Sequence, residues 1–424
     1  VAEDTDLSEI QVPTAREEWR KYWTLPLAAG LGNVGSVIHI YSLGAFMAPL
    51  SAEFGWSRAE ISSGITVSNS GTAIIGLLVG LLIDRFGPRR VGIFGIIAMS
   101  LAFGAVGLAS GSYGNWVFHW ALIALAATAT QTTVWTSAVT TRFDASRGLA
   151  IALTIAVNGA AATLLPIAAT LAIEGFGWRQ AFFLIAAGWL ALSLPMVLLF
   201  FRGAAEDYIA EPGSAKVPAS EHLPGMEVRE ALRSAAFYRL AITGCLFAFV
   251  AMSMIVHFVP ILTDRGLGAV EAASIAGLVG IASIVGRFVT GYLLDRFPAE
   301  RVALIGISLP MVSALLLLHG QSTFAYSAAA AIAGFSLGAE LDVLIYLTSR
   351  RFGLKRFGTL FAIVMVAMTI GTATGPVTAG AMFDRFGSYD TYLWLVIPLA
   401  LIAALSVGTL RPSPRFASVA TAVH

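Results

Sequence analysis

Twelve apolar stretches run through the 424-residue chain, separated by short polar breaks. They cover 23–50, 59–83, 91–110, 116–141, 148–173, 181–201, 238–262, 272–294, 302–319, 324–349, 358–383 and 392–410. At 1.5 Å rise per residue, ~20 residues cross the ~30 Å hydrocarbon core of a bilayer. The pattern predicts an all-α integral membrane protein of twelve transmembrane helices. One longer polar stretch, 202–233, interrupts the series at its middle and carries Pro212, Pro218 and Pro224. It reads as a linker. Within it, 226–236 has the make-up of a short amphipathic helix lying on the membrane face.

The predicted organisation is a cytoplasmic tail at 1–22, a six-helix bundle at 23–201, a cytoplasmic linker at 202–237, a second six-helix bundle at 238–410 and a cytoplasmic tail at 411–424. The bundles repeat one another. G-L-L-I-D-R-F-G-P-R-R-V at 80–91 matches G-Y-L-L-D-R-F-P-A-E-R-V at 291–302, which aligns Gly80 with Gly291, Asp84 with Asp295, Arg85 with Arg296 and Arg90 with Arg301, 211 residues on. E-G-F-G-W-R at 174–179 matches D-R-F-G-S-Y at 384–389, 210 residues on. Two separate matches at spacings within one residue of each other indicate duplication, and paired six-helix repeats are a transporter architecture.

Charge placement orients the chain. With the N-terminus inside, 21 of the 26 Lys and Arg residues fall on the inner side and only Arg58, Arg179, Arg265 and Arg385 on the outer. That bias places both termini in the cytoplasm. Composition agrees: 57% of residues are hydrophobic and 12% charged, against about 25% charged in soluble domains. A net charge of +1 gives no electrostatic reason for a nucleic-acid partner. Cys245 is the single cysteine, so no internal disulfide forms. The first 22 residues are polar and mixed in charge and show no cleavable signal pattern, so the first apolar stretch is expected to direct insertion.

Arg287 breaks the apolar run 272–294. A guanidinium stays charged at any ordinary pH, and at mid-membrane it costs at least ~2.5–3.5 kcal/mol. Such a charge normally faces a watery cavity or an ion partner. Its repeat equivalent is Gly76, so the charge departs from the duplicated scaffold, which points to function. Its planar donors suit a carboxylate. Glu340 and Asp342 lie at a similar depth in the tenth stretch, two residues apart and so on roughly opposite helix faces; the spacing leaves open which of them reaches Arg287. Together with His257 they are the candidates for proton coupling, since a buried carboxyl or imidazole can exchange a proton near neutrality. Asn33, His39, Tyr41, Asn158 and Tyr346 are the further cavity-lining candidates for substrate. A structural ion pair at Arg287 and hydrogen-bonded filler histidines are the competing readings. No metalloprotease, hydrolase, P-loop or paired-cysteine motif occurs. No enzyme activity, cofactor or metal is expected.

These motifs resemble the Major Facilitator Superfamily, whose loop between the second and third helices carries G-x-x-x-D-R-x-G-x-R-R. Gly80, Asp84, Arg85, Gly87, Arg89 and Arg90 match it. The second copy keeps Gly291, Asp295, Arg296 and Arg301 but has Pro298 in the place of Gly87. The resemblance implies two pseudo-symmetric six-helix bundles, with both copies acting as a gating motif at the cytoplasmic rim. Within the superfamily, 41–58, 142–152 with Asn158-Gly159, and G-R-F-V-T-G at 286–291 are similar to the monocarboxylate porter and oxalate/formate antiporter group. That likeness places Arg287 at the group's substrate-binding arginine. The group's acidic motif in the first helix is missing, and no Lys occurs in the first or eleventh helix, which disfavours a small dicarboxylate. The reading is a monomeric secondary active transporter of the plasma membrane, here a bacterial inner membrane. It moves a small organic monocarboxylate, coupled to H⁺, by alternating access. An anion exchanger or an exporter of another small solute is the alternative.

Overall fold

The computed structural model describes residues 14–203, 225–353 and 355–410. Its helices are α1 (Ala15–Tyr22), α2 (Thr24–Asn33), α3 (Ile38–Phe54), α4 (Arg58–Ile75), α5 (Val79–Phe86), α6 (Pro88–Ala105), α7 (Tyr113–Thr128), α8 (Thr132–Thr140), α9 (Arg147–Phe176), α10 (Trp178–Phe200), α11 (Val228–Ala231), α12 (Ala235–Asp264), α13 (Ala269–Arg296), α14 (Ala299–His319), α15 (Thr323–Phe352), α16 (Phe357–Phe386) and α17 (Asp390–Gly408). Among the described residues there are no strands, only a bridge between Gly225 and Gly353.

Among the described residues, ten stretches are each long and apolar enough to cross a membrane, and the bent pair Thr24–Ser36 and Ile38–Phe54 makes an eleventh. The second predicted stretch makes the remaining pass. It starts beside Asp264 and Asp384 and ends at Phe86, just before Arg89 reaches the carbonyl of Leu198 at the other end of the bundle. It is less apolar than the other passes because α4 carries Ser62, Ser63, Thr66, Ser68, Asn69, Ser70 and Thr72.

Three of the predicted spans are broken. The first bends by 44° at a 3-10 turn, Val34–Ser36; the second has a 3-10 turn at Gly76–Leu78; the fourth pauses between α7 and α8. In the last case α6 comes so close at Gly95 that a Cβ there would lie 2.8 Å from the carbonyl carbon of Ala129. The amphipathic helix expected at 226–236 is reduced to α11, because Ser234 caps α12 by accepting from the Phe237 amide. Met226 donates to the carbonyl of Phe352 at 2.8 Å, and Glu227 pairs with Lys355 and Arg356 at 2.9 and 3.2 Å.

Buried side chains gather into separate cores. One draws on Leu25 through Phe201, joined only by Val256 from beyond. The other two draw on residues from Ala231 to Leu410. The two groups meet where α4 runs beside α16, α9 beside α13, and α3 beside α12. The end of the bundle that holds α1 and α11 is called here the terminal side, and the opposite end the far side.

On the terminal side Glu18 of α1 fastens the start of α9. Its two oxygens accept from the amides of Asp144, Ala145 and Ser146 and from the Ser146 hydroxyl at 2.7–3.0 Å. Burial alone would push this carboxyl up, but the Ser146 hydroxyl and the three amides outweigh it and hold it down at about 2.

Candidate functional site

Arg287 belongs to the face of α13 that meets α9. Higher on that face Thr163 donates to the carbonyl of Gly277 at 2.9 Å, and Gly159 lies against Gly280 and Ile284. One helical turn beyond Ile284 comes Arg287, and beyond it a Cβ at Gly291 would find open space. The guanidinium therefore sits where the two halves part. On its other flank α13 packs against α15 at backbone contact: a Cβ on Gly338 would collide with the carbonyl of Ser283 and lie 2.8 Å from the Arg287 amide.

That close packing sets the ion pair. Arg287 Nη1 donates to Asp342 Oδ1 at 3.1 Å, with 20% of the arginine and 28% of the aspartate side chain exposed. Both are half-buried, so the pair is not sealed inside the bundle. Asp342 is thus the carboxylate that reaches Arg287, the point the sequence left open. Glu340, two residues away and rotated by about 200°, is buried at 6% exposure, and its Oε1 has no hydrogen-bond partner among the described residues.

Tyr41 is half-buried in α3 and within electrostatic reach of the Arg287 charge. With Gly44, Ala162, Ile255 and Phe258 it lines an apolar cavity of about 10 Å³, room for one water, between the two halves. Tyr346 lies one turn from Asp342 toward the terminal side, its ring 5.8 Å from the Arg350 guanidinium. Asn158 is half-buried beside Gly159, with its Oδ1 unpaired among the described residues.

The other candidates lie away from Arg287. Asn33 is fully buried and accepts from Thr132 at 3.0 Å, within the first half, while its Nδ2 is unpaired among the described residues. His39 is buried edge-on to Trp120, ring centroids 5.8 Å apart. His257 is fully buried on the far side. Its Nε2 lies 2.8 Å from the carbonyl of Pro376 and 3.2 Å from Ser62 Oγ, and its Nδ1 lies 2.6 Å from the Tyr389 hydroxyl. A carbonyl only accepts, so Nε2 carries the proton and Nδ1 accepts from Tyr389.

The two copies of the duplicated motif lie at the terminal rim. Gly87 adopts φ +80° between α5 and α6, with Pro88 opening the next helix. In the second copy Pro298 caps α14 from an extended Phe297, so the same turn is made without positive φ. A Cβ at Gly80 would meet nothing within 4 Å. Arg85, Arg90, Asp295, Arg296 and Arg301 are exposed, with Arg296 over the Tyr292 ring at 4.3 Å. The side chain of Asp84 lies outside the described residues.

Sequence reasoning missed the far-side cluster that joins the halves. Arg58 forks onto Asp264 at 2.6 and 2.8 Å, while the amides of Arg58 and Ala59 donate to Asp384 at 2.9 Å each. Thr66 donates to the carbonyl of Ala373, and Asn69 to that of Thr372 at 3.5 Å. The hydrogen bonds that Arg58, Ser62, Thr66, Asn69 and Thr163 make between the halves lie on the far side or near the middle. Asp264 falls 211 residues after Glu53, on the same offset as the repeat, and that spacing could have flagged it.

Comparison with known proteins bears on this geometry. The family model described as Major Facilitator Superfamily matches residues 29–353. Human monocarboxylate transporter 11 is 27% identical over 418 residues, covering 92% of this chain and 83% of its own. Bovine monocarboxylate transporter 13 is 25% identical over 413 residues, covering 93% and 89%. The MFS-type transporter YhjX of Escherichia coli K12 is 25% identical over 349 residues, covering 80% and 84%. Among solved structures, a bacterial homolog of the human lysosomal transporter Spinster, in an inward-facing and unoccupied conformation, superposes with a TM-score of 0.68 at 17% identity. The match covers 95% of this chain and all of that one.

Proposed function

The chain belongs to the Major Facilitator Superfamily, and from that premise we propose that it carries a small organic monocarboxylate together with a proton. It is an integral membrane transporter and not an enzyme. The observation that carries the finer reading is the partly exposed pair of Arg287 and Asp342 at the parting of the two halves. A guanidinium whose planar fork already holds a carboxylate offers the same donors to a carboxylate solute. Relatives named as monocarboxylate transporters support the cargo class.

Coupling follows from charge balance. Leaving Asp342 ionised and unpaired beside a substrate-occupied Arg287 would strand a negative charge in a low-dielectric interior. If Asp342 accepts a proton as the solute displaces it, the loaded site carries the same net charge as the empty one, and proton and anion cross together. Glu340 and His257 are the other groups assigned to proton handling. Tyr41, Tyr346 and Asn158 line the path, with Asn33 and His39 behind them. The halves 23–201 and 238–410 rock about this site. The terminal side is the cytoplasm of a bacterial cell, which makes the present conformation inward-facing, with the rim motifs around Arg85 and Asp295 unlatched.

The test is uptake into proteoliposomes. An imposed inside-alkaline gradient should drive accumulation of a monocarboxylate, Arg287→Ala should abolish it, and Asp342→Asn should uncouple it from the gradient. Gradient-driven uptake that survives both changes would refute the assignment.

A further inference from the structure

The repeat holds an ion pair that one half keeps and the other shares. In the first half Glu53 stays within its own bundle: Arg179 Nη2 donates to its Oε1 at 2.6 Å and Trp178 Nε1 to its Oε2 at 2.5 Å. In the second half the counterpart of Glu53 is Asp264, and the counterpart of Arg179 is Tyr389. A tyrosine supplies no cation, so Asp264 lacks its local partner. It takes Arg58 from the first half instead, through two bonds of 2.6 and 2.8 Å. Arg58 also stacks on Phe383, 3.6 Å from the ring centroid, and lies 5.0 Å from that of Tyr389.

At this joint Arg58 and the amides of Arg58 and Ala59 donate from the first half, and Asp264 and Asp384 accept from the second. The two amides that open α4 donate to Asp384. Gly380 makes room for them, since a Cβ there would lie 2.6 Å from the Ala59 nitrogen. His257 braces the acceptor side through Tyr389 and Pro376 and touches Ser62 of α4. The far side can open only if these bonds part together. We propose that Arg58, held by Asp264 and Asp384, is the latch that keeps the far side shut and sets how often it opens. The placement suits a reversible catch. The side chains of Arg58 and Asp264 are 18% and 34% exposed, so both charges regain water on separation, and the pair is too wet to hold irreversibly. The inference goes beyond the proposed cargo and holds for any solute.

The latch is tested on the purified full chain with a cysteine reporter. In a Cys245→Ser background, Ala162→Cys places a thiol in the cavity between the halves, where the native side chain is 3% exposed. Labelling by a thiol reagent then reads the fraction of time the far side is open. Arg58→Ala and Asp264→Ala should each raise the labelling rate about three- to tenfold, the range expected for a partly exposed charge pair. The double variant should label no faster than either single one, because the two groups act as a unit. Arg58→Lys should fall between wild type and Arg58→Ala. Arg179→Ala, which breaks the pair kept within one half, should leave the rate unchanged. Unchanged labelling in Arg58→Ala and Asp264→Ala, multiplying effects in the double variant, or an equal rise in Arg179→Ala would each overturn the proposal.

Discussion

Arg287 meets Asp342, not Glu340, across the seam between α13 and α15, at 3.1 Å and with both side chains partly wetted. The choice follows from backbone geometry. Gly338 lets the two helices touch at Ser283 and at the Arg287 amide, and the residue one turn further along that face of α15 is Asp342. Glu340 is turned away and buried. The two acids therefore differ in role although they are neighbours in sequence. Asp342→Asn should leave Arg287 charged and unpaired, with folded protein but uptake that no longer responds to a pH gradient. Glu340→Gln should leave the Arg287 pair intact. Gradient-driven uptake in the two variants, side by side, checks this.

Helix contact at Gly338 is a precondition for that pair. Gly338→Ala would drive a Cβ into the Ser283 carbonyl, and neither backbone can yield without separating the helices. Overpacking of this kind costs about 1–3 kcal/mol. The expected result is a lower melting temperature together with weakened binding of carboxylate solutes. Gly291→Ala, where a Cβ meets nothing within 4 Å, is the matched control and should melt as wild type.

Closure of the far side depends on Gly280 in the same way. A Cβ there would collide with the carbonyl of Gly159 in the other half. Gly280→Ala should hold α9 and α13 apart and favour the far-side-open state. Spin labels on the far ends of those two helices should report a longer mean distance. An unchanged distance distribution would show that the contact is not needed for closure.

Much of this fold could be read before any coordinates. Apolar run length located the passes, and the duplicated motif gave the two-part plan. The runs could not show that three spans break, because a 3-10 turn at Val34–Ser36 or Gly76–Leu78 interrupts hydrogen bonding without adding a charged residue. Nor could they separate the roles of Arg58 and Arg287. A charge alone inside an apolar run stands out, whereas Arg58 lies at a loop edge and looks like ordinary rim decoration. Its partners Asp264 and Asp384 are 206 and 326 residues away, a proximity that only the packed halves create. The histidines show the same limit. His39 and His257 look alike in sequence, yet one packs edge-on against Trp120 and the other braces the far-side closure.

Glu18 gives the pH dependence on the terminal side. Its carboxyl is held at about 2, well below the ordinary carboxylate value of 4.5. A group whose folded pKa is depressed stabilises the fold above its unfolded pKa and loses that contribution as the pH falls toward its folded one. The fastening of α1 to the start of α9 should therefore be at full strength near neutrality and weaken between about pH 4.5 and 2. Glu18→Gln should cost about 1–3 kcal/mol at neutral pH, the usual price of leaving buried donors poorly satisfied. It should also flatten the loss of stability below pH 4.5. Thermal unfolding of both proteins across pH 3–7 is the check.

The account turns on Arg287 binding a carboxylate, and equilibrium binding tests that directly. A series of monocarboxylic acids, with matched amides and alcohols as neutral controls, is titrated against purified wild type, Arg287→Lys and Arg287→Ala while the melting temperature is followed. A bound ligand raises apparent stability by mass action, about 2.7 kcal/mol at a hundredfold excess over Kd. The account predicts that at least one acid, but not its neutral analogue, stabilises wild type, stabilises Arg287→Lys less, and leaves Arg287→Ala unmoved. Stabilisation that persists undiminished in Arg287→Ala, or that the neutral analogues match, would contradict it.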